Sequence, residues 1–159
     1  MSDILAIQSD SVIQLATFYL NDMLIGIELG FVQEINRNIE LTPVPDSAEF
    51  IRGIINLRGN VVTVIDLKII LELGETDITD NTSVVIVNYD NEQIALLVDK
   101  VADVIHAKND LLEQPPANMT ESDSKYFKYI YKKENDLLTV LDIEEILAIN
   151  AEQTQTEQG

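Results

Sequence analysis

The sequence predicts a mostly β protein, arranged as a barrel or a sandwich of about nine or ten short strands. Aliphatic residues dominate an apolar content of 46%, whereas aromatic residues make up only 6%, and β-branched side chains favour strands over helices. The apolar runs recur at about even spacing and are separated by pairs of Asn, Asp and Gly that are typical of turns. Segments with a helical period are few and short.

The first predicted element is a hairpin made of residues 15–20 and Met23–Glu28 around the turn pair Asn21-Asp22. Residues 1–14 mix Ser, Asp and Gln with Ile and Val. We interpret them as an N-terminal tail that is either loose or folded into a short added helix.

The pattern changes after this hairpin. Residues 30–35 fit one or two helical turns. A short strand at 39–41 is expected to stop at the prolines of T-P-V-P at 42–45. Residues 46–49 are predicted to begin a helical turn, because Asp and Ser side chains accept hydrogen bonds from free N–H groups.

The middle of the chain predicts a short helix and a second hairpin. Residues 66–73 have apolar positions at helical spacing, and Gly74 closes that helix. Ser83–Tyr89 and 93–98 predict two strands joined by a turn at 90–92.

The last third of the chain continues with strands. Residues 101–106 predict either another strand or a sharp bend of the preceding one, and 108–120 predict a loop with one helical turn at most. Alternating and apolar patterns predict strands at 126–132 and 137–141.

A short helix is predicted to end the folded domain. Asp142 caps it, and the apolar residues of 143–149 lie on one side. Residues 150–159 are polar and low in complexity, so we expect a disordered tail. The predicted domain therefore spans residues 15–149.

The stretch 49–68 is the most informative part of the chain and reads E-F-I-R-G-I-I-N-L-R-G-N-V-V-T-V-I-D-L-K. Two β-rich runs flank R-G-N at 58–60. We predict Gly59-Asn60 as a two-residue turn, because Gly accepts the positive φ that such a turn requires. In that register Arg58 lies opposite Val61.

The two faces of this predicted hairpin differ. The first face is nearly all core and carries Gly53, Ile55, Leu57, Val62, Val64 and Asp66. The second is apolar far from the turn and polar near it, and carries Ile54, Asn56, Arg58, Val61, Thr63 and Ile65. We expect coverage on both sides at the base, with Arg58 and Asn56 emerging at the tip and Gly53, Asn56 and Gly59 as structural turn residues. The pattern alone favours a structural hairpin with a solvated end.

Composition and charge exclude several classes of function. The chain has 10 basic and 28 acidic residues and a formal net charge of −18, so nucleic acid and anionic membranes are poor partners. Basic partner surfaces or solubility explain the acidity. There is no Cys, hence no disulfide or Cys metal site. No signal peptide and no apolar run of about 20 residues is present, so we expect a cytoplasmic protein without direct membrane insertion.

Few residues in the sequence suggest a catalytic site. His106 is the one histidine and has no Cys partner, so a structural or exposed role is favoured over metal binding. Four carboxylates, Asp66, Asp99, Asp103 and Asp142, follow or punctuate apolar strands. A pair of them could perform acid–base chemistry, but Asp at a strand end more often accepts hydrogen bonds from backbone N–H groups.

The stretch 50–67, F-I-x-G-I-I-N-L-R-G-x-V-V-x-V-I-D-L, resembles the signature of CheW-type chemotaxis coupling proteins. Other segments agree in order and spacing: G-F-V-Q-E-I at 30–35, T-P-V-P at 42–45, L-L-V-D-K-V-A-D-V-I at 96–105 and L-L-T-V-L-D-I-E-E-I-L at 137–147. The resemblance covers residues 15–147. Thr63 and Lys68 depart from it, because Pro and Arg are common at these positions.

The resemblance implies a fold and a function. The fold is two small five-stranded SH3-like β-barrels that lie side by side and share strands, with short helices including a C-terminal one. The function is a non-enzymatic adaptor, without cofactor or metal, that couples transmembrane chemoreceptors to the histidine kinase CheA. The alternative is a coupling protein of a type-IV-pilus or other non-flagellar chemosensory pathway.

The resemblance also implies partners and a site. The partners are the CheA regulatory domain and the cytoplasmic tips of methyl-accepting chemotaxis proteins, which recruit the protein to membrane receptor arrays. Receptor tips dock between the barrels, and the matching positions here are Val32, Glu34, Arg58, Val104 and Ile105. Arg58 either contacts the partner or forms a salt bridge to Glu34 that orders the groove.

Overall fold

The computed structural model describes residues 11–115, 125–133 and 136–149. Both predicted tails lie largely or wholly outside these residues. The strands of the first half are β1 (Val12–Leu20), β2 (Met23–Glu28), β3 (Val32–Asn36), β4 (Ile51–Leu57) and β5 (Asn60–Asp66), followed by helix α1 (Leu67–Ile70). The strands of the second half are β6 (Ser83–Tyr89), β7 (Glu92–Val98), β8 (Lys100–Val101), β9 (Ile105–Lys108), β10 (Leu112–Glu113), β11 (Phe127–Lys133) and β12 (Asp136–Leu141). Helix α2 covers 143–149.

These strands form two sheets, and the prediction of a mostly β fold with two SH3-like barrels is confirmed. The middle barrel has the strand order β3-β6-β7-β5-β4. The terminal barrel has the order β10-β11-β12-β2-β1-β8, with β9 also paired to β1. In the part of the chain that the structure describes, no helix has the length and apolar character needed to cross a membrane.

Each barrel is closed by a bent segment that pairs on both sides. In the middle barrel, β3 pairs with β6, and the chain then returns so that Thr42 bridges Ile54 of β4. In the terminal barrel, β8 and β9 pair with β1, and β10 pairs with β11. The three short strands β8 to β10 are thus successive pieces of one broken strand, interrupted at 102–104 and by the 3-10 turn Asn109–Leu111.

The two halves of the chain repeat one topology. The first half runs from the β1–β2 hairpin through β3, β4 and β5 to α1, and the second from the β6–β7 hairpin through β8–β11 and β12 to α2. β5 pairs in parallel with β7, and β12 pairs in parallel with β2. Each half therefore contributes its hairpin to one barrel and its remaining strands to the other, so neither barrel is built from one half alone.

The core follows from the two faces of the strands. In β6, Val84 and Ile86 pack inside the middle barrel, whereas Val85 and Val87 pack in a larger cluster that lies between the barrels. β7 alternates in the same way. Strands covered on both faces read as continuous apolar runs, which explains V-V-I-V and I-A-L-L-V in the sequence.

The terminal barrel has a smaller core around Leu15, Ala107, Tyr131, Leu138 and Val140. The large shared cluster joins both barrels through β1, β2, β5, β6, β7 and the helix α2. We call this cluster the shared core. Because it collects side chains from both barrels, it holds the two barrels in one packed unit.

The predicted register of the 49–68 hairpin is wrong. Leu57 pairs with Asn60, so the turn residues are Arg58-Gly59 and not Gly59-Asn60. Arg58 and Gly59 have φ values of 54° and 89°, as a type I′ turn requires at both central positions. The pairing is displaced by two residues, and a shift of two keeps every side chain on its predicted face. The apolar face therefore packs in the middle barrel as expected.

The helical turns predicted at 30–35 are also wrong beyond their first residues. A 3-10 turn at Leu29–Phe31 leads directly into β3. A bulge between Val32 and Glu34 inserts Gln33 into the pairing with β6. The extra residue turns the strand period of two into an apparent period of three, so Val32 and Ile35 face the same side and imitate a helix.

Smaller differences concern irregular segments. No strand covers 39–41, and the adjoining Thr42 forms only an isolated bridge to Ile54. Residues 46–49 contain turn residues without a helix. Residues 101–106 contain the end of β8 and the start of β9, separated by the irregular residues 102–104, so they form neither one continuous strand nor one bend. Strand β1 begins at Val12, within the predicted N-terminal tail.

Both predicted capped helices are present, but α1 ends at Ile70 and not at Gly74 as predicted. The side chain of Asp66 accepts a hydrogen bond from the Lys68 backbone N–H at 3.0 Å, and that of Asp142 accepts one from the Glu144 N–H at 3.1 Å. The hairpin with its turn at Asn21-Asp22 and the strand Ser83–Tyr89 are confirmed.

Candidate docking site

The tip of the β4–β5 hairpin presents Arg58 to solvent. The amide oxygen of Asn56 accepts a hydrogen bond from the Gly59 N–H at 2.9 Å and holds the turn. The Arg58 side chain is 79% exposed. The turn is held by this hydrogen bond, while the guanidinium at its corner is open to a partner, whose carboxylate or carbonyl groups it can bind through paired donors.

Glu34 is the only ion-pair partner that the described residues give Arg58, with 3.4 Å between Oε2 and Nη1. The Glu34 side chain is 22% exposed, and Glu34 directly follows the bulged residue Gln33. The amide oxygen of Gln33 accepts hydrogen bonds from Gln93 at 2.6 Å and from Asn88 at 3.5 Å. An ion pair with one partner so exposed contributes about 0–1 kcal/mol, so it orients Arg58 without occupying all five donors.

The three apolar candidates lie in different environments. Val32 is half-buried against the shared core. Val104 is 47% exposed, and Ile105 is partly buried against the core of the terminal barrel. Val104 and Ile105 line a surface depression of about 420 Å³ with Tyr19 and other residues of the terminal barrel.

The structure thus brings Glu34 and Arg58 together on the middle barrel, and places Val104 and Ile105 together on the terminal barrel. Ile35 is an additional candidate that the sequence pattern missed. It is 43% exposed and faces the same side as Val32 because of the bulge. The available signal was the Ile next to Glu34 in V-Q-E-I, which helical spacing also places on the side of Val32.

Gly53 lies in β4 at a bulge between Ile51 and Gly53, away from the hairpin turn. Its φ is +149°, and a Cβ there would lie 2.6 Å from the carbonyl oxygen of Thr42. Gly is needed at this position because the backbone at Thr42, which closes the middle barrel, lies too close to β4 for a side chain.

The buried carboxylates are occupied by structural hydrogen bonds. Asp66 is fully buried and accepts bonds from Arg52 Nη1 (2.9 Å), Thr76 N (2.9 Å), Thr76 Oγ1 (2.8 Å) and Lys68 N (3.0 Å). Arg52 also donates to the Thr76 carbonyl at 2.8 Å. This network uses the lone pairs that acid–base catalysis would need, and the sequence did not single out Arg52.

The other acidic and basic candidates agree with structural roles. Asp99 accepts from the Asn21 N–H at 2.7 Å. His106 is exposed, with its Nε2 3.1 Å from the Gln14 amide nitrogen. Among the described residues, no group of three His, Cys, Asp or Glu side chains is placed to hold a metal ion.

Comparison with known proteins agrees with this architecture. A family model described as a CheW-like domain matches residues 14–150. The chain is 33% identical over 134 residues to the chemotaxis protein CheW of Bacillus subtilis (strain 168), covering 84% of this chain and 86% of that protein. It is 27% identical over 144 residues to the chemotaxis protein CheW of Treponema pallidum (strain Nichols), covering 88% and 85%.

A solved structure shows the same fold. The crystal structure of the scaffolding protein TtCheW from Thermoanaerobacter tengcongensis matches with a TM-score of 0.76 and 30% identity, covering 83% of this chain and 85% of that chain. The family model covers well over half of the sequence and spans both barrels. The chain therefore belongs to the family of CheW-like domains.

Proposed function

We propose that the protein is a non-enzymatic scaffold of chemotaxis signalling that couples chemoreceptors to the histidine kinase CheA. The observation that carries this proposal is the family match across both barrels, with relatives named as chemotaxis proteins and a structural neighbour named as a scaffolding protein. The expected partners are the regulatory domain of the kinase and the cytoplasmic tips of the receptors.

The geometry supports a docking role for the Glu34–Arg58 pair. A guanidinium at an exposed, hydrogen-bonded turn can bind carboxylates or the carbonyl groups at a helix end. Val32 and Ile35 add apolar surface on one side of β3, and Val104 adds exposed apolar surface on the terminal barrel. An amphipathic helix binds to such surfaces through apolar anchors with a polar contact at one end.

An adaptor role also agrees with the state of the carboxylates. Asp66, Asp99 and Asp142 all accept backbone N–H bonds, so their oxygen atoms stabilise the fold. Binding without chemistry requires no free acid–base pair.

Co-sedimentation tests this function. The full-length protein is mixed with receptor-containing membranes, with and without the kinase, and the bound fraction is measured. We expect the natural protein to sediment with the membranes and Arg58→Ala to bind them more weakly. Absence of binding of the natural protein to both receptor and kinase would refute the proposal.

A matched control variant distinguishes the loss of a docking contact from the change in net charge. Lys132 is 72% exposed and forms a surface ion pair with Glu113 at 3.7 Å on the terminal barrel. Lys132→Ala changes the net charge as Arg58→Ala does, and it should bind the receptor membranes as the natural protein does. Circular dichroism should show both variants folded, because both side chains are mainly in solvent.

The second candidate is coupling in a type-IV-pilus or other non-flagellar chemosensory pathway. The same fold and docking residues would serve either pathway. A pull-down from cells, followed by identification of the captured receptors and kinase, decides between the two.

A further inference from the structure

The repeated topology places the two short helices at equivalent positions. Each helix follows a capping Asp, whose backbone N–H donates to a carbonyl at the start of the neighbouring strand: Asp66 to Phe50 and Asp142 to Tyr126, each at 2.8 Å. Two positions after its cap, Glu144 of α2 contacts Tyr89 in the hairpin of the opposite barrel. Lys68 of α1 contacts Asp99 at the end of β7, and Asp99 in turn accepts a hydrogen bond from the β1–β2 turn of the opposite barrel. We call these helix-to-hairpin contacts the α1 clasp and the α2 clasp.

The α1 clasp is an ionic and nearly buried cluster. Lys68 Nζ lies 3.2 Å from Asp99 Oδ2, and the two side chains are 10% and 25% exposed. The same oxygen accepts from the N–H of Asn21 in the β1–β2 turn at 2.7 Å. The Asn21 amide also donates to the Leu73 carbonyl at 3.2 Å. Charge-assisted bonds shielded from water are strong and directional.

The α2 clasp is a single exposed hydrogen bond. The Tyr89 hydroxyl at the end of β6 donates to the Glu144 carboxylate. Leu29 follows β2 where Asp99 follows β7, and among the described residues no ion pair joins Glu144 to this hairpin. Phe31 meets the Tyr89 ring edge-on at 5.4 Å between centroids. Depressions of about 110 and 310 Å³ on the two sides of the Tyr89–Glu144 contact leave it open to water.

The shared core lies between the barrels and is mainly aliphatic. Hydrophobic contact is non-directional and depends on the area removed from water, so it resists separation of the barrels more than a small rotation. The directional contacts of the two clasps therefore set the angle between the barrels. The α2 clasp has fewer hydrogen bonds than the α1 clasp. It contains no ion pair, and it is more exposed to solvent.

We propose that the two barrels rotate slightly against each other about the α1 clasp as a pivot, and that the Tyr89–Glu144 contact is a latch that restricts this rotation. The pivot and the latch consist of residues other than the docking candidates. This proposal therefore does not depend on the proposed function.

Distance measurements test the latch. The chain has no cysteine, so Val61→Cys and Leu137→Cys introduce two labelling sites, at positions 68% and 52% exposed on different barrels. Pulsed electron paramagnetic resonance between nitroxides at these sites gives the distribution of inter-barrel distances. We expect Tyr89→Phe, which removes only the hydroxyl, to broaden that distribution. An unchanged distribution would overturn the proposal.

Two further variants keep the test specific. Tyr129→Phe removes a hydroxyl that has no hydrogen-bond partner among the described residues, and it should leave the distribution as narrow as in the natural protein. Glu144→Gln retains an acceptor for Tyr89 and should broaden the distribution less than Tyr89→Phe. Equal broadening by Tyr129→Phe would count against the latch, because it would reflect a general loss of packing.

Amide hydrogen exchange locates the pivot. In Tyr89→Phe, amides of 143–149 should exchange about fivefold faster, the ratio expected when one ordinary hydrogen bond is lost. Amides of α1 and Asn21 should keep their natural rates. Equal acceleration at both clasps, or acceleration at α1 alone, would show that the α1 clasp is not the pivot.

Discussion

Replacing Arg52 by Met tests whether the buried Asp66 network holds the middle barrel together. Met keeps most of the apolar stem of Arg52 and removes the guanidinium. The variant loses the 2.9 Å ion pair to Asp66 and the 2.8 Å bond to the Thr76 carbonyl. Asp66 is fully buried, so its carboxylate would keep its backbone and hydroxyl donors but lose its one cation.

Breaking a buried pair by removing one partner costs about 3–5 kcal/mol. The Arg52 side chain is 20% exposed, so we expect the lower end, about 3 kcal/mol of the free energy of unfolding. For a chain of this length that corresponds to a fall in Tm of about 6–12 °C. Urea unfolding followed by circular dichroism should show a lower midpoint with an unchanged slope.

Lys132→Met is the matched control, because the Lys132–Glu113 pair is exposed on both sides. Its unfolding free energy should change by about 0.5 kcal/mol or less. If Arg52→Met lost no more stability than this control, the network would not support the fold and the reasoning from burial would be wrong.

Three further predictions follow from single contacts. Gly53→Ala should lower the unfolding free energy by about 2–4 kcal/mol in urea titrations, because its Cβ would lie 2.6 Å from the Thr42 carbonyl oxygen at φ +149°; a neutral result would contradict the close approach. The hydrogen bond to Glu144 raises the pKa of Tyr89 above 10.0, so this contact stabilises the fold below pH 10 and the contribution is lost as pH rises through the folded-state pKa; ultraviolet titration should show Tyr89 ionising late, and Glu144→Ala should lower its pKa. Leu96→Ala removes a side chain that is 0% exposed in the shared core and should cost about 2–5 kcal/mol by thermal unfolding, and a loss below 1 kcal/mol would show that the core collapses around the gap.

The regular strands were predictable because their patterns are local. Ser83–Tyr89 was predicted with its bounds, since β-branched residues fill it and a turn pair follows it. The Asp66 and Asp142 caps were predictable for the same reason, because a cap needs only a side chain and an N–H two residues later. Alternation also placed Ile55 and Val62 on the core side even though the predicted turn was wrong.

The errors occur where distant strands decide the conformation. The bulge at Gln33 exists because β3 pairs with β6, about fifty residues further along the chain. The register of the β4–β5 hairpin depends on a turn in which Arg58, a non-Gly residue, takes a positive φ. The candidate site depends on the same features, since the bulge directs Glu34 and Ile35 and the turn exposes Arg58.

The sequence by itself determined the mostly β class, the two capped helices, the apolar faces of the strands and the family, because each of these depends on neighbouring residues or on the order of motifs. Only the tertiary structure decided the exchange of hairpins between the barrels, the pairing of Arg58 with Glu34, the Arg52–Asp66 network and the two clasps. These features join residues that are far apart in the chain, and strand order and register, which no local pattern contains, determine which of them meet.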